Sequence, residues 1–245
     1  MCARLRLMSF FIARLQSLRH YSQLATDSRI GRRKSMLNRS VVVRGILWPI
    51  KRWFFFYWIE PGVAARSRQL RPFAMRIIAR HEGVKSVINL RGQNPKKKWW
   101  QREKAVCEEL GIAHYEARLD SKKIATREML LDLLSAFDCA PKPFLVKCQG
   151  GADRTSFAAA LYALHCGHQL SVAQLHFNPL LHRPEKKQEW LKEFTIYAKD
   201  SKHEKSLSQW IEADYEPEKF IEWMESRGMF GAHDGIFDSA SFFAA

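Results

Sequence analysis

The chain has 245 residues, 47% of them hydrophobic, which is enough for one sizeable domain with its own core and excludes general disorder. Its net charge of +15 is uneven, because residues 1–59 hold 12 basic residues and one acid, Asp27, a net charge of +11. The basic excess therefore belongs to an N-terminal arm, and we predict no specific nucleic-acid partner.

The cysteine pattern and the absence of a long apolar stretch indicate the compartment. The five cysteines lack the paired spacing of a disulfide or zinc framework, which predicts a reducing, cytoplasmic setting. A membrane span needs about 20 apolar residues, and the most apolar stretch, 41–59, is interrupted by Arg44, Lys51 and Arg52. We therefore predict peripheral contact with the inner face of a membrane.

The N-terminal segment 1–59 combines basic and aromatic side chains. Its first 26 residues contain four arginines and no acid, which is typical of an organelle-targeting peptide or a basic amphipathic helix. A charged, small-residue linker is predicted at 31–35. The aromatic rings of 48–58 favour either an anionic membrane surface or the surface of the folded core, with an unrelated partner as a third interpretation.

Helix-like and strand-like segments alternate from Pro61 onward. Gly83 and Gly111 end the first two predicted helices, and Thr126 is the predicted N-cap of the third. The predicted helices are Pro72–His81, Trp99–Leu110 and Thr126–Phe137, followed by Glu185–Ala198 and Glu216–Arg227. The predicted strands are Val84–Leu90, Ile112–Leu119 and Pro143–Lys147.

This order predicts an α/β domain with a central, mostly parallel sheet flanked by helices. We divide the chain into a basic and aromatic N-terminal segment (1–59), the α/β domain (60–200) and a helical C-terminal extension with a tail (201–245).

The segment around Cys148 carries the chemistry. An apolar strand runs into Cys148-Gln-Gly-Gly-Ala-Asp-Arg154-Thr155 and then into an alanine-rich helix. Oxyanions bind at such junctions, because successive backbone N–H groups point into the turn and the helix dipole favours negative charge. The predicted substrate-binding residues are Gln149, Gly150, Gly151, Ala152 and Asp153.

Cys148 and Arg154 are spaced to enclose one phosphate. Gly150 and Gly151 permit the tight backbone path, and the forked guanidinium of Arg154 binds two phosphate oxygens. The same amides and guanidinium stabilise a thiolate at Cys148, which is then a nucleophile at neutral pH. Thr155 is placed to hydrogen-bond the sulfur and to help it leave in a second step.

The residues from Cys148 to Thr155 resemble the Cys-x5-Arg-Ser/Thr signature of the cysteine-dependent protein-tyrosine phosphatase superfamily, and the compact size resembles its dual-specificity branch. Residues 61–70 are similar to the opening segment of small dual-specificity-like phosphatases, and 83–91 to their first buried strand. The resemblance covers roughly residues 60–200. It implies a protein-tyrosine-phosphatase-like fold and metal-free, cofactor-free hydrolysis of phosphomonoesters through a cysteinyl-phosphate.

The resemblance also implies a general acid, an aspartate about thirty residues before the cysteine. Asp120, 28 residues before Cys148, is the first candidate. Asp153 is the second, because an aspartate directly before the arginine resembles the loops of some lipid and inositol phosphatases of the superfamily. The structural alternatives are a turn carboxylate at Asp120 and an acceptor that orients amides or Arg154 at Asp153.

Two positions depart from the superfamily pattern. Lys147 stands where a histidine usually precedes the nucleophile, and Ser156 replaces the glycine that usually follows the Arg-Thr pair. Neither change removes a reacting atom. Arg91, after the first predicted strand, has two open interpretations, a contact with substrate phosphate or a strand-end salt bridge. Residues 96–100 form either a solvated loop or a rim for anionic substrates.

We therefore predict a protein-tyrosine/dual-specificity-type phosphatase in which Cys148, Arg154, Asp120 and Thr155 are catalytic. Its predicted partners are phosphotyrosine or phosphoserine/threonine proteins, or phosphorylated lipids and inositols, with an anionic membrane surface contacted through residues 1–59. The alternative is a catalytically silent phosphate-binding adaptor.

Overall fold

A five-stranded sheet in the order β1-β2-β5-β3-β4 forms the centre of the computed structural model, which describes residues 47–177 and 185–238. The β2–β5, β5–β3 and β3–β4 pairs are parallel, and only β1 runs antiparallel to its neighbour. The strands are β1 (Tyr57–Glu60), β2 (Ala64–Ser67), β3 (Ser86–Asn89), β4 (Ala113–Glu116) and β5 (Phe144–Lys147). The predicted fold class is confirmed.

Helices cover both faces of this sheet. The first three predicted helices form with ends within two residues of the prediction, and Gly83 and Gly111 are their left-handed caps where predicted. The helices are α1 (Pro72–Glu82), α2 (Lys98–Leu110), α3 (Arg127–Cys139), α4 (Asp153–His165), α5 (Leu170–Gln174), α6 (Trp190–Ser201), α7 (Leu207–Ala213) and α8 (Pro217–Ser226). A 3-10 turn, Lys186–Gln188, precedes α6.

Strand β5 lies at the centre of the sheet and is buried on both faces. Phe144 and Val146 pack into the larger hydrophobic cluster, which includes residues of α3, α4 and α6–α8. Leu145 packs into the smaller cluster with residues of α1 and α2. Because side chains alternate along a strand, Lys147 lies on the same face as Leu145, toward α2.

The aromatic segment before β1 contributes rings to the core and to the surface. Residues 47–53 are helical, and Phe54 and Phe56 are buried in the smaller cluster. Trp48, Trp53 and Tyr57 are exposed. The boundaries 1–59, 60–200 and 201–245 remain predictions. No helix in the described part of the chain is long and apolar enough to cross a membrane.

Several elements were not predicted. Strands β1 and β2 and the short helices α5 and α7, four to seven residues long, are absent from the predicted elements. The predictions for the arm up to residue 46, including the linker at 31–35, and for the tail from 239 lie outside the described residues.

Candidate active site

Three parallel strands end at the same edge of the sheet and bring together residues that are far apart in the sequence. The register pairs Ser67 and Asn89 with Lys147, so the residues that follow these strands lie beside Cys148. The backbone N–H of Gln69 donates to the carbonyl of Gln149 at 3.1 Å. Ligand sites of open α/β sheets lie outside the carboxyl ends of the strands, and here that edge carries the Cys148 loop.

Cys148 begins the backbone loop that connects β5 to α4, and its thiol faces the backbone of that loop. Its side chain is buried, at 3% exposure, and its Sγ accepts a hydrogen bond from the Gly151 N–H at 3.2 Å. The loop then enters α4 at Asp153. A backbone donor and a helix N-terminus both stabilise negative charge on the sulfur.

Gly151 and Gly150 have different roles in shaping the loop. Gly151 has a φ of +72°, and a Cβ there would lie 2.5 Å from the backbone N of Arg68. Gly150 has no positive φ, and a Cβ there would meet nothing within 4 Å. Of the two glycines predicted to permit the tight backbone path, only Gly151 is constrained by its φ and its neighbours.

We expect Gly151→Ala to lower the free energy of unfolding by at least about 2 kcal/mol, because the new Cβ strains the backbone and collides with the Ser67–Arg68 peptide. The matched variant Gly150→Ala should change it by less than about 1 kcal/mol. Urea denaturation of the two variants checks this difference. Equal losses in both would show that the close approach at Gly151 does not constrain the loop.

Arg66 supports the loop from beneath. Its side chain is 3% exposed; Nη2 donates to the Gly151 carbonyl at 3.0 Å and to Ser156 Oγ at 2.8 Å, and Nη1 donates to the His176 carbonyl at 2.9 Å. The hydroxyl of Ser156, which departs from the superfamily pattern, is thus an acceptor for the arginine that holds Gly151. Sequence reasoning did not assign this role to Arg66.

Arg154 joins the loop to the segment that carries Asp120. Its Nη1 donates to the carbonyl of Leu119 at 3.4 Å, directly before Asp120. The Asp120 carboxylate accepts the N–H groups of Lys122 and Lys123 on Oδ1, at 2.7 and 3.1 Å. Both of these bonds end on the same carboxylate oxygen.

Asp153 and Thr155 lie in the first turn of α4. Asp153 is the first residue of the helix, where a carboxylate interacts favourably with the helix dipole. Thr155 is fully buried, and its Oγ1 makes no hydrogen bond to any described residue, so the expected bond to the Cys148 sulfur is not formed.

A buried network of charges lies under the loop on the α2 side of the sheet. The Lys147 side chain is 1% exposed, and its Nζ lies 2.6 Å from Glu103 Oε1. Glu103 also pairs with His114 Nε2 at 2.9 Å and accepts from Gln69 Nε2 at 2.5 Å. His114 Nδ1 in turn lies 3.2 Å from Glu116 Oε1.

In this network the opposite charges of Glu103 and Lys147 offset the cost of burying each group. Burial alone would raise the pKa of Glu103, but the Lys147 ammonium and the His114 hydrogen bond hold that pKa below its usual value. Burial lowers the pKa of Lys147, and the Glu103 carboxylate opposes that shift. The two groups are paired at 2.6 Å. Gln69 Oε1 accepts from Lys147 Nζ at 3.1 Å, which links the network to the loop through the Gln69 backbone.

The network makes stability depend on pH through His114. Burial lowers the pKa of His114, but the hydrogen bond to Glu103 and the neighbouring Glu116 carboxylate outweigh it and raise that pKa above its ordinary value. A raised histidine pKa stabilises the fold below the unfolded value of about 6.5, and this stabilisation is lost as pH rises through the folded value.

We therefore expect His114→Gln to lower the free energy of unfolding. The decrease should be largest below about pH 6 and should become smaller toward pH 9. Denaturation curves of both proteins across this range measure it. A matched exposed histidine, His81→Gln, should show no such trend. A loss that grows with pH would contradict the assignment of a protonated His114.

The comparison with family models settles the family. Residues 54–207 match the model described as Swiss Army Knife protein, DSP-PTPase phosphatase domain. The chain belongs to this family. The resemblance to dual-specificity-like phosphatases of the protein-tyrosine phosphatase superfamily is thereby confirmed, and the DSP-PTPase phosphatase domain contains Asp120 and the whole Cys148 loop. No curated protein matches the chain significantly.

Solved structures show related folds at low identity. The core catalytic domain of the PP-IP phosphatase SIW14 from S. cerevisiae is 17% identical, with a TM-score of 0.45, and the match covers 71% of this chain and 93% of that one. A putative phosphatase (DUF442) from Shewanella putrefaciens CN-32 is 19% identical, with a TM-score of 0.48 and coverages of 61% and 96%. TpbA of P. aeruginosa is 15% identical, with a TM-score of 0.47 and coverages of 60% and 86%.

Proposed function

We propose that this DSP-PTPase domain hydrolyses phosphomonoesters in two steps through a cysteinyl-phosphate on Cys148. The observation that carries the proposal is the loop geometry, in which Cys148 Sγ lies 3.2 Å from the Gly151 N–H at the N-terminus of α4. In the first step the Cys148 thiolate attacks phosphorus and forms an S–P bond while the P–O bond to the leaving group breaks.

The loop amides and Arg154 bind the non-bridging phosphate oxygens as charge develops in the transition state. The electron pair of the thiolate becomes the S–P bond, the electron pair of the broken P–O bond goes to the leaving oxygen, and that oxygen takes a proton from Asp120. In the second step the Asp120 carboxylate removes a proton from water, the water oxygen bonds to phosphorus, and the S–P bond breaks to return the thiolate. The reaction needs no metal or cofactor.

The arrangement around Arg154 supports Asp120 over Asp153 as the general acid. The Arg154 guanidinium, which binds phosphate oxygens in this mechanism, also contacts the carbonyl adjacent to Asp120. Asp153 instead is the first residue of α4, where its carboxylate interacts favourably with the positive end of the helix dipole.

The proposed substrates are phosphorylated proteins or phosphorylated lipids and inositols. The exposed aromatic surface of Trp48 and Trp53, which are 62% and 70% exposed, supports docking on an anionic membrane. Arg52 lies 5.4 Å from the Trp48 ring centroid, so a cation accompanies the rings. This surface is joined to the loop, because the carbonyl of Phe54 accepts from the backbone N of Arg68, whose peptide packs on Gly151.

We expect the full chain to sediment with vesicles that contain anionic lipid and not with neutral ones, and the double variant Trp48→Ala, Trp53→Ala to lose most of this binding. Phe230→Ala is the matched control, since Phe230 is also 62% exposed but lies after α8. Equal binding by wild type and the double variant would show that Trp48 and Trp53 do not bind the membrane.

The substrate class is tested by phosphate release from a small aryl phosphate, phosphopeptides, phosphoinositides and soluble inositol phosphates. Cys148→Ser supplies the background in each assay. We expect release by the wild type that is absent from the variant, and the preferred substrate identifies the class. A folded wild-type protein that binds phosphate but releases none from any substrate would support the phosphate-binding adaptor instead.

A further inference from the structure

We propose that Arg91, Gln69 and Trp99 form a second anion subsite beside the Cys148 loop, which binds another phosphate of a multiply phosphorylated substrate. The inference rests on the proposed function, since the first phosphate occupies the loop, and it names the substrate class. The two parts can fail separately, and the experiments below distinguish them.

The topology places Arg91 at the active-site edge of the sheet. Strand β3 is hydrogen-bonded to β5, Asn89 is in register with Lys147, and the N–H of Leu90 donates to the Lys147 carbonyl at 2.9 Å. Arg91 follows directly, so its backbone leaves the sheet next to Cys148. Gln69 reaches the same place from the end of β2, where its N–H donates to the Gln149 carbonyl at 3.1 Å.

The Arg91 side chain is held in place without a carboxylate. Its guanidinium stacks on the Trp99 ring, with Cζ 3.5 Å from the ring centroid, and Nη1 donates to Gln69 Oε1 at 3.4 Å. Among the described residues, no ion pair includes Arg91, although Glu103 lies nearby. Glu103 is instead committed to Lys147, His114 and Gln69. The strand-end salt bridge expected as one role of Arg91 is therefore not formed.

Positive charge is concentrated here, and the nearby acid Glu103 is paired with Lys147. Burial lowers the pKa of Arg91, and the neighbouring Arg154 guanidinium lowers it further. Lys147 Nζ also lies 5.1 Å from the Trp99 ring centroid, so two cations share one indole. Guanidiniums that repel each other are stabilised when anions bind them.

A cavity of about 220 Å³ continues from this point along α2 and the start of α1. Its polar wall includes Gln69, Arg71, Trp99 and Arg102, and the carboxylate of Glu103, which is paired with Lys147. Arg71 and Arg102 are exposed. The cavity therefore shares Gln69 and Trp99 with the subsite and adds two arginines to its surroundings.

The chemical class that fits is a small scaffold that carries two phosphates, either free in solution or as the headgroup of a lipid. A monophosphorylated side chain of a peptide satisfies only the loop. The subsite thus favours inositol bisphosphate chemistry over a single phosphoamino acid.

The test compares kcat/KM for a soluble vicinal inositol bisphosphate, an inositol monophosphate and a small aryl phosphate in wild type, Arg91→Gln and Arg91→Lys. We expect wild type to favour the bisphosphate over the monophosphate by more than about tenfold, mainly through KM, because a fork-shaped, charge-assisted contact is gained. Arg91→Gln should remove this preference, and Arg91→Lys should restore part of it. Arg80 is exposed, and Arg80→Gln is the matched control. It should leave kcat/KM unchanged for all three substrates.

Equal loss by Arg91→Gln on all three substrates, or a wild type without preference for the bisphosphate, would overturn the subsite. The lipid and free forms are separated by repeating the assay with a phosphoinositide bisphosphate in vesicles. Should no substrate turn over, the proposed function fails, and calorimetric titration of Cys148→Ser with inositol bisphosphate and with inorganic phosphate still tests the subsite. Adding Arg91→Gln to that protein should weaken bisphosphate binding at least about tenfold more than phosphate binding, and equal weakening would refute it.

Discussion

Cys148→Ser should lower kcat for phosphate release by at least about 10⁴-fold, the scale of loss when a covalent catalyst loses its nucleophile. A serine hydroxyl ionises far less readily than a thiol, and the Gly151 N–H and the α4 dipole that stabilise a thiolate cannot make up that difference. Phosphate binding should persist, since the loop amides and Arg154 are untouched.

The measurement is phosphate release under saturating aryl phosphate, together with binding of inorganic phosphate by calorimetry. Cys107→Ser is the matched control, because Cys107 is also buried but lies in α2, and burial raises the pKa of its thiol to about 12. Its activity should stay within a few fold of wild type. Comparable losses in the two variants would show that a buried thiol as such, and not a nucleophile at position 148, is required.

Asp120→Asn should lower kcat by about 10²- to 10⁴-fold for a substrate with a poor leaving group, the usual contribution of a positioned general acid. The loss should be much smaller for an aryl phosphate whose leaving oxygen needs little protonation. The asparagine can still accept the Lys122 and Lys123 N–H groups, so the turn is retained.

The matched variant is Asp153→Asn, which removes the other candidate carboxylate while leaving Asp120 in place. We expect it to change kcat by less than about tenfold and to show no dependence on the leaving group. If Asp153→Asn instead carries the leaving-group dependence and Asp120→Asn does not, the roles of the two aspartates are reversed.

Much of the fold follows from local signals in the sequence. The α1–α3 helices combine apolar spacing with Gly83, Gly111 or Thr126 at their ends, and the structure places these caps as predicted. The Cys148 loop carries its phosphate-binding signal in eight consecutive residues. Features encoded within one segment were therefore predictable.

Features that depend on contacts between distant segments were not predictable in the same way. A lysine at the end of a buried strand indicates that an acid must lie nearby, yet nothing in the sequence identifies Glu103 as that acid. Arg66 and Gln69 contact the loop only because β2 pairs with β5, and β2 was not among the predicted strands. The pairing of Ser156 with Arg66 likewise needed the structure.

Gly150 shows a different limit. A Gly-Gly pair in a phosphate loop predicts two positions of unusual backbone, whereas the structure constrains only Gly151, where the Ser67–Arg68 peptide approaches. The sequence indicates that a tight turn exists, but the neighbouring strand decides which glycine it needs.

The central claim is the cysteinyl-phosphate intermediate, and rapid acid quenching of the enzyme during turnover of an aryl phosphate tests it most directly. Mass spectrometry of the quenched protein should find one phosphoryl group on the peptide that contains Cys148, and none in Cys148→Ser. Turnover that proceeds at the wild-type rate in Cys148→Ser, or a phosphoryl group found only on another residue, would contradict the account.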